Sequence, residues 1–168
     1  MRLDLATGIF EGQWPQSIRT LAELAPIFAD REAAGAMAPE TIVYETHGCP
    51  GEMDGEARLL YATTIIQPGT VGDEYFMTRG HFHTDPSLGE LMFTLKGQGA
   101  LVLMDRERTT WAEEMSSGSV HDIDGRHAHR VVNKGDEPLV FLVAWMSDCG
   151  HDYESIRELG FGKRLMKR

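Results

Sequence analysis

The 168-residue chain sets 16 basic side chains against 26 acidic ones, a formal net charge of −10 that argues against nucleic acid or an anionic membrane as partner. With 42% hydrophobic and 25% charged residues it has the composition of an ordinary globular domain, long enough to bury a real core, and is neither disordered nor fibrous. No stretch reaches the unbroken apolar length of a membrane span, and the opening MRLDLATGIFEG lacks an apolar signal core, so the expected compartment is the cytoplasm. Cys49 and Cys149, with no CxxC pattern, are expected as reduced thiols.

In chain order, SIRTLAELAPIFADREAAGA (17–36) places Ile18, Leu21, Leu24 and Ile27 at helical spacing, and Pro26 divides this helical region into two pieces. From Thr41 the texture changes to β-branched and aromatic runs: TIVYET, ARLLYATTIIQ, EYFMTR, LMFTLK, ALVLMD, HRVVN and PLVFLVAW. Turn-rich clusters such as HGCPGE, QPGTVGD, GQG, SSG, DGR and KGDE separate them. Short strands with regular turns predict a mainly β sandwich or barrel instead of alternating βα units. Without repeats, low-complexity runs or long linkers, the chain reads as one domain over 1–168. Its expected parts are an N-terminal extension with helix (1–40), a β-barrel (41–150) and a C-terminal segment (151–168).

The stretch GHFHTDPSLGELMFTLKGQG carries the chemistry. Side chains at i and i+2 of a strand share a face, so His81 and His83 project together, and a turn through Pro86 and Gly89 brings Glu90 beside them. A fourth ligand must come from another hairpin; GRHAHRVVN offers His129, with His127 at a turn as its competitor. Three imidazoles and one carboxylate make a mixed N/O site for a divalent ion with positions left open, and the absence of thiolates argues against a closed structural zinc site. His47 and His121 belong to no visible constellation.

The segment from Gly80 to Gly97, with His129, resembles the paired motifs of the cupin barrel, a double-stranded β-helix or jelly roll. Together with DLATGIFEG, TRGHFHTDPSLGELMFTLKGQG, AHRVVNKGDEPLVFL and GHDYESIRELGF, it looks like the cupin-type glucose-6-phosphate isomerases of archaea and some bacteria, over Asp4 to about Lys163. The resemblance implies metal ligation by His81, His83, Glu90 and His129. It also implies phosphate recognition at Thr64, Thr78 and Gly80, a substrate-contacting Tyr44, and His151 and Tyr153 near the sugar. Glu90, His151 and Tyr153 are then the catalytic candidates. The implied cofactor is one divalent ion per chain, Fe(II) foremost, with Mn(II), Ni(II), Zn(II) or Co(II) as substitutes; the substrate is a small sugar phosphate and the assembly a homodimer. Where the family pattern often has tyrosine, this chain has Met92 and Trp145. A cupin oxygenase using the same ligands with iron, or a non-catalytic sugar-phosphate-binding cupin, are the alternative functions.

Overall fold

The computed structural model describes residues 2–48 and 58–167; Cys49 lies outside them. A small hairpin of β1 (Leu3–Asp4) and β2 (Ile9–Phe10) opens the chain. β3 (Gln16–Thr20) leads into α1 (Leu21–Leu24), a 3-10 turn over Ala25–Ile27, and α2 (Arg31–Ala36). The remainder is β4 (Ile42–Gly48), β5 (Leu59–Ile66), β6 (Thr70–Val71), β7 (Glu74–Tyr75), β8 (Phe82–His83), β9 (Glu90–Lys96) and β10 (Gln98–Met104). It continues with β11 (Thr110–Ser116), β12 (Val120–Ile123), β13 (Ala128–Asn133), β14 (Leu139–Met146) and β15 (His151–Asp152), closing with a 3-10 turn over Glu154–Ile156.

The helical region is divided at Pro26 as its sequence predicts, but Ile18 is not part of it. Gln16–Thr20 instead pairs antiparallel with β4, placing Ile18 opposite Glu45 and largely in solvent, while Leu21 and Leu24 fill the core. The Thr20 backbone N–H donates to the Glu23 carboxylate at 2.9 Å, which starts the first helical turn right after the strand. β11 and β12 lack the expected apolar signature: in β11 only Met115 is fully buried, so its sequence does not alternate as a half-buried strand does. EYFMTR is a regular strand only over Glu74–Tyr75. Beyond it the chain follows β13 through separate bonds, from Asn133 N–H to the Phe76 carbonyl (3.0 Å) and from Thr78 N–H to the Val131 carbonyl (2.9 Å).

Two antiparallel sheets share one hydrophobic core. The larger has the order β12-β9-β14-β5-β4-β3 and the smaller β11-β10-β13. The two-residue period of β9 buries Glu90, Met92 and Thr94 while Leu91 faces outward. Its neighbour β14 sets Trp145 opposite Glu90 and Val143 opposite Met92, then pairs Phe141 with Thr64 of β5. One inner face of the larger sheet therefore carries a run of pocket-forming side chains.

Two features lock the segment that carries the histidines. Gly80 has φ +77°, and a Cβ there would lie 2.7 Å from the Phe161 ring and 2.9 Å from both Arg130 Cβ and the His129 carbonyl oxygen. Only glycine permits both the left-handed turn and the close approach of this chain to β13. Further along, the buried Glu74 carboxylate accepts from Arg164 Nη1 at 2.7 and 2.9 Å and from the Ala29 N–H at 2.8 Å, tying the C-terminal segment and the helical region to β7. Replacing Gly80 with alanine is expected to lower unfolding free energy by about 2–4 kcal/mol, read as a shifted urea midpoint at unchanged slope. An unchanged midpoint contradicts this account of the turn.

Candidate metal centre

Four side chains from three parts of the fold meet between the sheets. His81 and His83 arrive on the segment around β8, Glu90 opens β9 on the larger sheet, and His129 sits in β13 on the smaller one. Backbone pairing sets the approach: the His81 N–H donates to the His129 carbonyl at 3.2 Å, and the His129 N–H returns to the His81 carbonyl at 3.0 Å. One ligand atom from each of the four can be chosen so that all lie within 4.8 Å of one another.

The hydrogen-bonding state of these atoms shows what the cluster lacks. His83 Nδ1 lies 2.6 Å from the Leu88 carbonyl, so in the neutral ring the proton sits there and leaves the Nε2 lone pair directed inward. Nε2 of His81, His83 and His129 are all buried and have no hydrogen-bond partner. Glu90, only 5% exposed, holds Oε2 3.6 Å from His83 Nε2 and Oε1 3.5 Å from His129 Nε2, beyond good hydrogen-bond range. Buried polar atoms are normally paired. Three lone pairs and a carboxylate facing a common point fit a divalent cation, which takes imidazole nitrogen and carboxylate oxygen alike.

Electrostatics within the cluster point the same way. Burial drives His81 far below the ordinary imidazole pKa, helped by the neighbouring His129 and His151, so it is neutral and ready to ligate. Burial would lower His83 too, but the Glu90 carboxylate and the Leu88 carbonyl outweigh it and raise its pKa. For Glu90 burial works toward protonation, yet His129, His83 and His81 together overcome it and keep the carboxylate ionised.

A cavity of about 160 Å³ opens over this cluster. The expected substrate contacts Tyr44, Thr64, Thr78, Gly80, His151 and Tyr153 all line it, as do His81, Glu90 and His129; His83 is completely buried behind them. His151 is brought in by the pairing of β15 with β8, which sets it opposite His83, and its ring centroid lies 4.3 Å from that of His81. Solvent reaches His151 and Tyr153 from the mouth, while desolvation on the inner side lowers the His151 pKa and raises that of Tyr153. Met92, Trp145, Phe141, Val143 and Val131 also line it and make up its apolar surface, interleaved with the polar contacts: Phe141 is the cross-strand partner of Thr64, and Val131 is hydrogen-bonded to Thr78. The family pattern marks Met92 and Trp145, whereas Phe141, Val143 and Val131 carry no sequence signal and come from strand register; Arg79 also lines the cavity.

The remaining histidines lie apart. His127 packs edge-on against Trp111, centroids 4.9 Å apart, which separates it from His129. His121 is buried between Glu113 (2.7 Å) and Ser119 (3.0 Å), and His47 stands 3.2 Å from Glu45. Cys149 is a buried free thiol whose pKa desolvation pushes up to about 11.

Two sheets around an imidazole–carboxylate cluster define a cupin-type protein, and oxalate decarboxylase from Bacillus subtilis at pH 4.6 shares the fold. That structure superimposes with a TM-score of 0.50 at 21% identity, over 64% of this chain and 26% of its own. The family model described as "Glucose-6-phosphate isomerase (GPI)" matches residues 18–166, and the chain belongs to that family. Among its relatives, the glucose-6-phosphate isomerase of Thermococcus litoralis is 39% identical over 99% of this chain and 88% of its own length. That of Thermococcus kodakarensis is 40% identical over 98% and 87%. A bacterial relative of the same name, from Sinorhizobium medicae, is 34% identical over 95% and 75%.

Metal uptake should compete with protons. The chelator-treated chain is expected to bind one divalent ion at about pH 8 and to release it on acidification. Release should begin above the ordinary imidazole pKa of about 6.5, because His83 holds its proton more tightly than a free imidazole. Equilibrium dialysis with Mn(II) across this range reads the effect, and uptake unchanged down to about pH 5 contradicts it.

Proposed function

We propose that this chain interconverts glucose 6-phosphate and fructose 6-phosphate at the cavity over the His81, His83, Glu90 and His129 cluster. The observation that carries the reading is that cluster itself: three unpaired buried Nε2 atoms and an ionised carboxylate at the floor of a cavity, in a member of the isomerase family.

The reaction moves a hydrogen between the carbonyl carbon and its hydroxyl-bearing neighbour. A divalent ion held by the four ligands would supply Lewis acidity toward the two sugar oxygens. Everything else falls to side chains. Thr64, Thr78 and the backbone N–H of Gly80 line the cavity, and neutral donors of this kind can hold a phosphate without a Walker loop. Thr78 Oγ accepts from the Val131 N–H at 3.0 Å, which leaves its hydroxyl proton free to donate toward a ligand. Tyr44, with its pKa raised by burial, keeps its phenolic proton and donates beside them.

Glu90 is assigned the proton transfer, since its carboxylate is ionised and lines the cavity floor. The same low pKa makes it a weak base, and that favours His151 as partner. His151 stays neutral because desolvation lowers its pKa, and it stands at the mouth where it can pass a proton to water. Tyr153, about 6.0 Å from His151 between ring centroids, orients the sugar through a hydroxyl that remains protonated.

The cofactor is proposed to be Fe(II), with Mn(II), Ni(II), Zn(II) or Co(II) able to replace it, because a mixed nitrogen and oxygen set suits them all and availability decides. A homodimer in the cytoplasm is the proposed working form. β3 and β12 end the larger sheet, and Val120 on β12 is 61% exposed, so a second copy could cover an open edge. No helix among the described residues is long and apolar enough to cross a membrane.

Fructose 6-phosphate turnover, coupled to a dehydrogenase on chelator-stripped protein, should return when Fe(II) or Mn(II) is restored and vanish in His81→Ala. Glu90→Gln should lower kcat about 10²–10⁴-fold with metal retained, and near-normal turnover in that variant moves the base to His151. Met92→Tyr adds a hydroxyl to the apolar wall and is expected to lower KM about three- to tenfold with kcat little changed; an unaltered KM means the sugar does not hydrogen-bond on that side.

A further inference from the structure

A second cavity, about 380 Å³, shares Arg79 and Tyr153 with the first and lies against the helical region and the C-terminal segment. Its lining contains five guanidinium groups, from Arg31, Arg79, Arg130, Arg157 and Arg164, in a protein whose formal net charge is −10. Three carboxylates also line it, but two of them are already engaged. Glu154 pairs with Arg157 at 3.3 Å, and Glu23 leans toward Arg19, outside the cavity, at 3.7 Å. The remaining acid is Glu158. Arg164 is neutralised by the buried Glu74 at 2.7 Å. Among the described residues, Arg31, Arg79 and Arg130 have no carboxylate within ion-pair distance.

Arg130 shows that this imbalance is more than a solvated basic surface. It is only 5% exposed, lies 4.2 Å over the Phe161 ring, and donates to the Met77 sulfur and the Arg79 carbonyl, at 3.0 and 2.7 Å. Its Nε is buried with no hydrogen-bond partner. The Glu74 carboxylate offsets part of this charge but is bonded to Arg164; a guanidinium buried to that degree without an ion pair of its own is costly, and the folded chain keeps it beside a cavity large enough for a small molecule. Planar guanidinium forks match the tetrahedral oxygens of a phosphate, and Pro26, Ile27, Ile156 and Leu159 offer apolar surface to a short carbon skeleton.

We propose that this cavity is a second anion site, distinct from the sugar-phosphate pocket, which takes a small phosphomonoester between Arg130, Arg31 and Arg79. Because Arg79 lines both cavities, an occupant that engages it also changes the wall of the first. The claim does not depend on the isomerase reading, since it concerns phosphate recognition by other residues.

The test uses the metal-loaded full chain titrated calorimetrically with inorganic phosphate, in the parent and in Arg31→Gln, Arg130→Gln and Thr78→Val. The expected result is a phosphate site that persists in Thr78→Val, weakens about tenfold or more in Arg31→Gln, and disappears in Arg130→Gln, with turnover in Arg31→Gln within about twofold of the parent. Arg31 is exposed, so its variant keeps the measurement meaningful if Arg130→Gln fails to fold. Phosphate binding wholly abolished in Thr78→Val, or a persistent site indifferent to Arg31→Gln, overturns the proposal. A chain that shows no isomerase turnover but loses phosphate binding in Arg31→Gln rejects the isomerase reading and supports this one.

Discussion

Three imidazole nitrogens with no hydrogen-bond partner, buried against an ionised carboxylate, are the constraint around which this fold is arranged. Left alone, such a group is expensive: each buried acceptor has given up water, and the carboxylate has only partial compensation from rings 3.5 and 3.6 Å away. A divalent cation at the shared focus removes the whole cost at once, and binding free energy then becomes folding free energy. The surrounding structure is consistent with that role. The two sheets contribute one ligand each, Glu90 and His129, while β8 supplies His83 and the adjoining bridge supplies His81. An ion here would therefore act as a tie between layers as well as a reagent.

Holding the ligands within reach requires backbone to approach backbone more closely than side chains normally allow. Gly80 makes this possible, since any Cβ at that position meets Phe161, Arg130 and the His129 carbonyl together. Behind it, the bond from Arg164 to the buried Glu74 carboxylate fixes the C-terminal segment, whose Phe161 packs against Gly80 and under Arg130. Stability and site geometry are thus coupled through one run of residues: a change at the C-terminal segment is felt at Gly80, and from Gly80 at His81.

Much of the site is written in local periodicity. The HxH spacing, the turn through Pro86 and Gly89, and the strand that begins at Glu90 are short-range features, and the sequence places them correctly because a pleated chain leaves few choices for where such side chains point. Strand placement favours His129 over His127, and His127 is instead packed against Trp111. What escapes the sequence is non-local. Ile18 fits a helical spacing, yet strand pairing with β4 takes its segment, since hydrogen bonds across the sheet outweigh a helical tendency interrupted at Pro26. β11 and β12 carry too many polar side chains to alternate visibly. Arg130 reads as one more residue of a buried strand, and only the folded chain shows that it has no ion pair of its own.

The lining of the first cavity mixes two kinds of surface, and the mixture bears on which sugar phosphates the proposed reaction would accept. Tyr44, Thr64, Thr78, His151 and Tyr153 offer donors and acceptors, whereas Met92, Phe141 and Val143 offer none and Trp145 only its indole N–H. Strand register puts Met92 and Trp145 on the inner face beside Glu90, so both stand close to the ligand cluster. A hydroxyl directed at one of the apolar side chains must be desolvated without a partner, which penalises it more than a matching polar contact rewards it. Under the proposed function, with the phosphate at Thr64, Thr78 and Gly80, discrimination among sugar phosphates would rest on which hydroxyls can be turned toward the polar side chains. The charge supplied by the ligand cluster would be the same for every sugar that fits, so the lining would read stereochemistry while the floor supplies the chemistry.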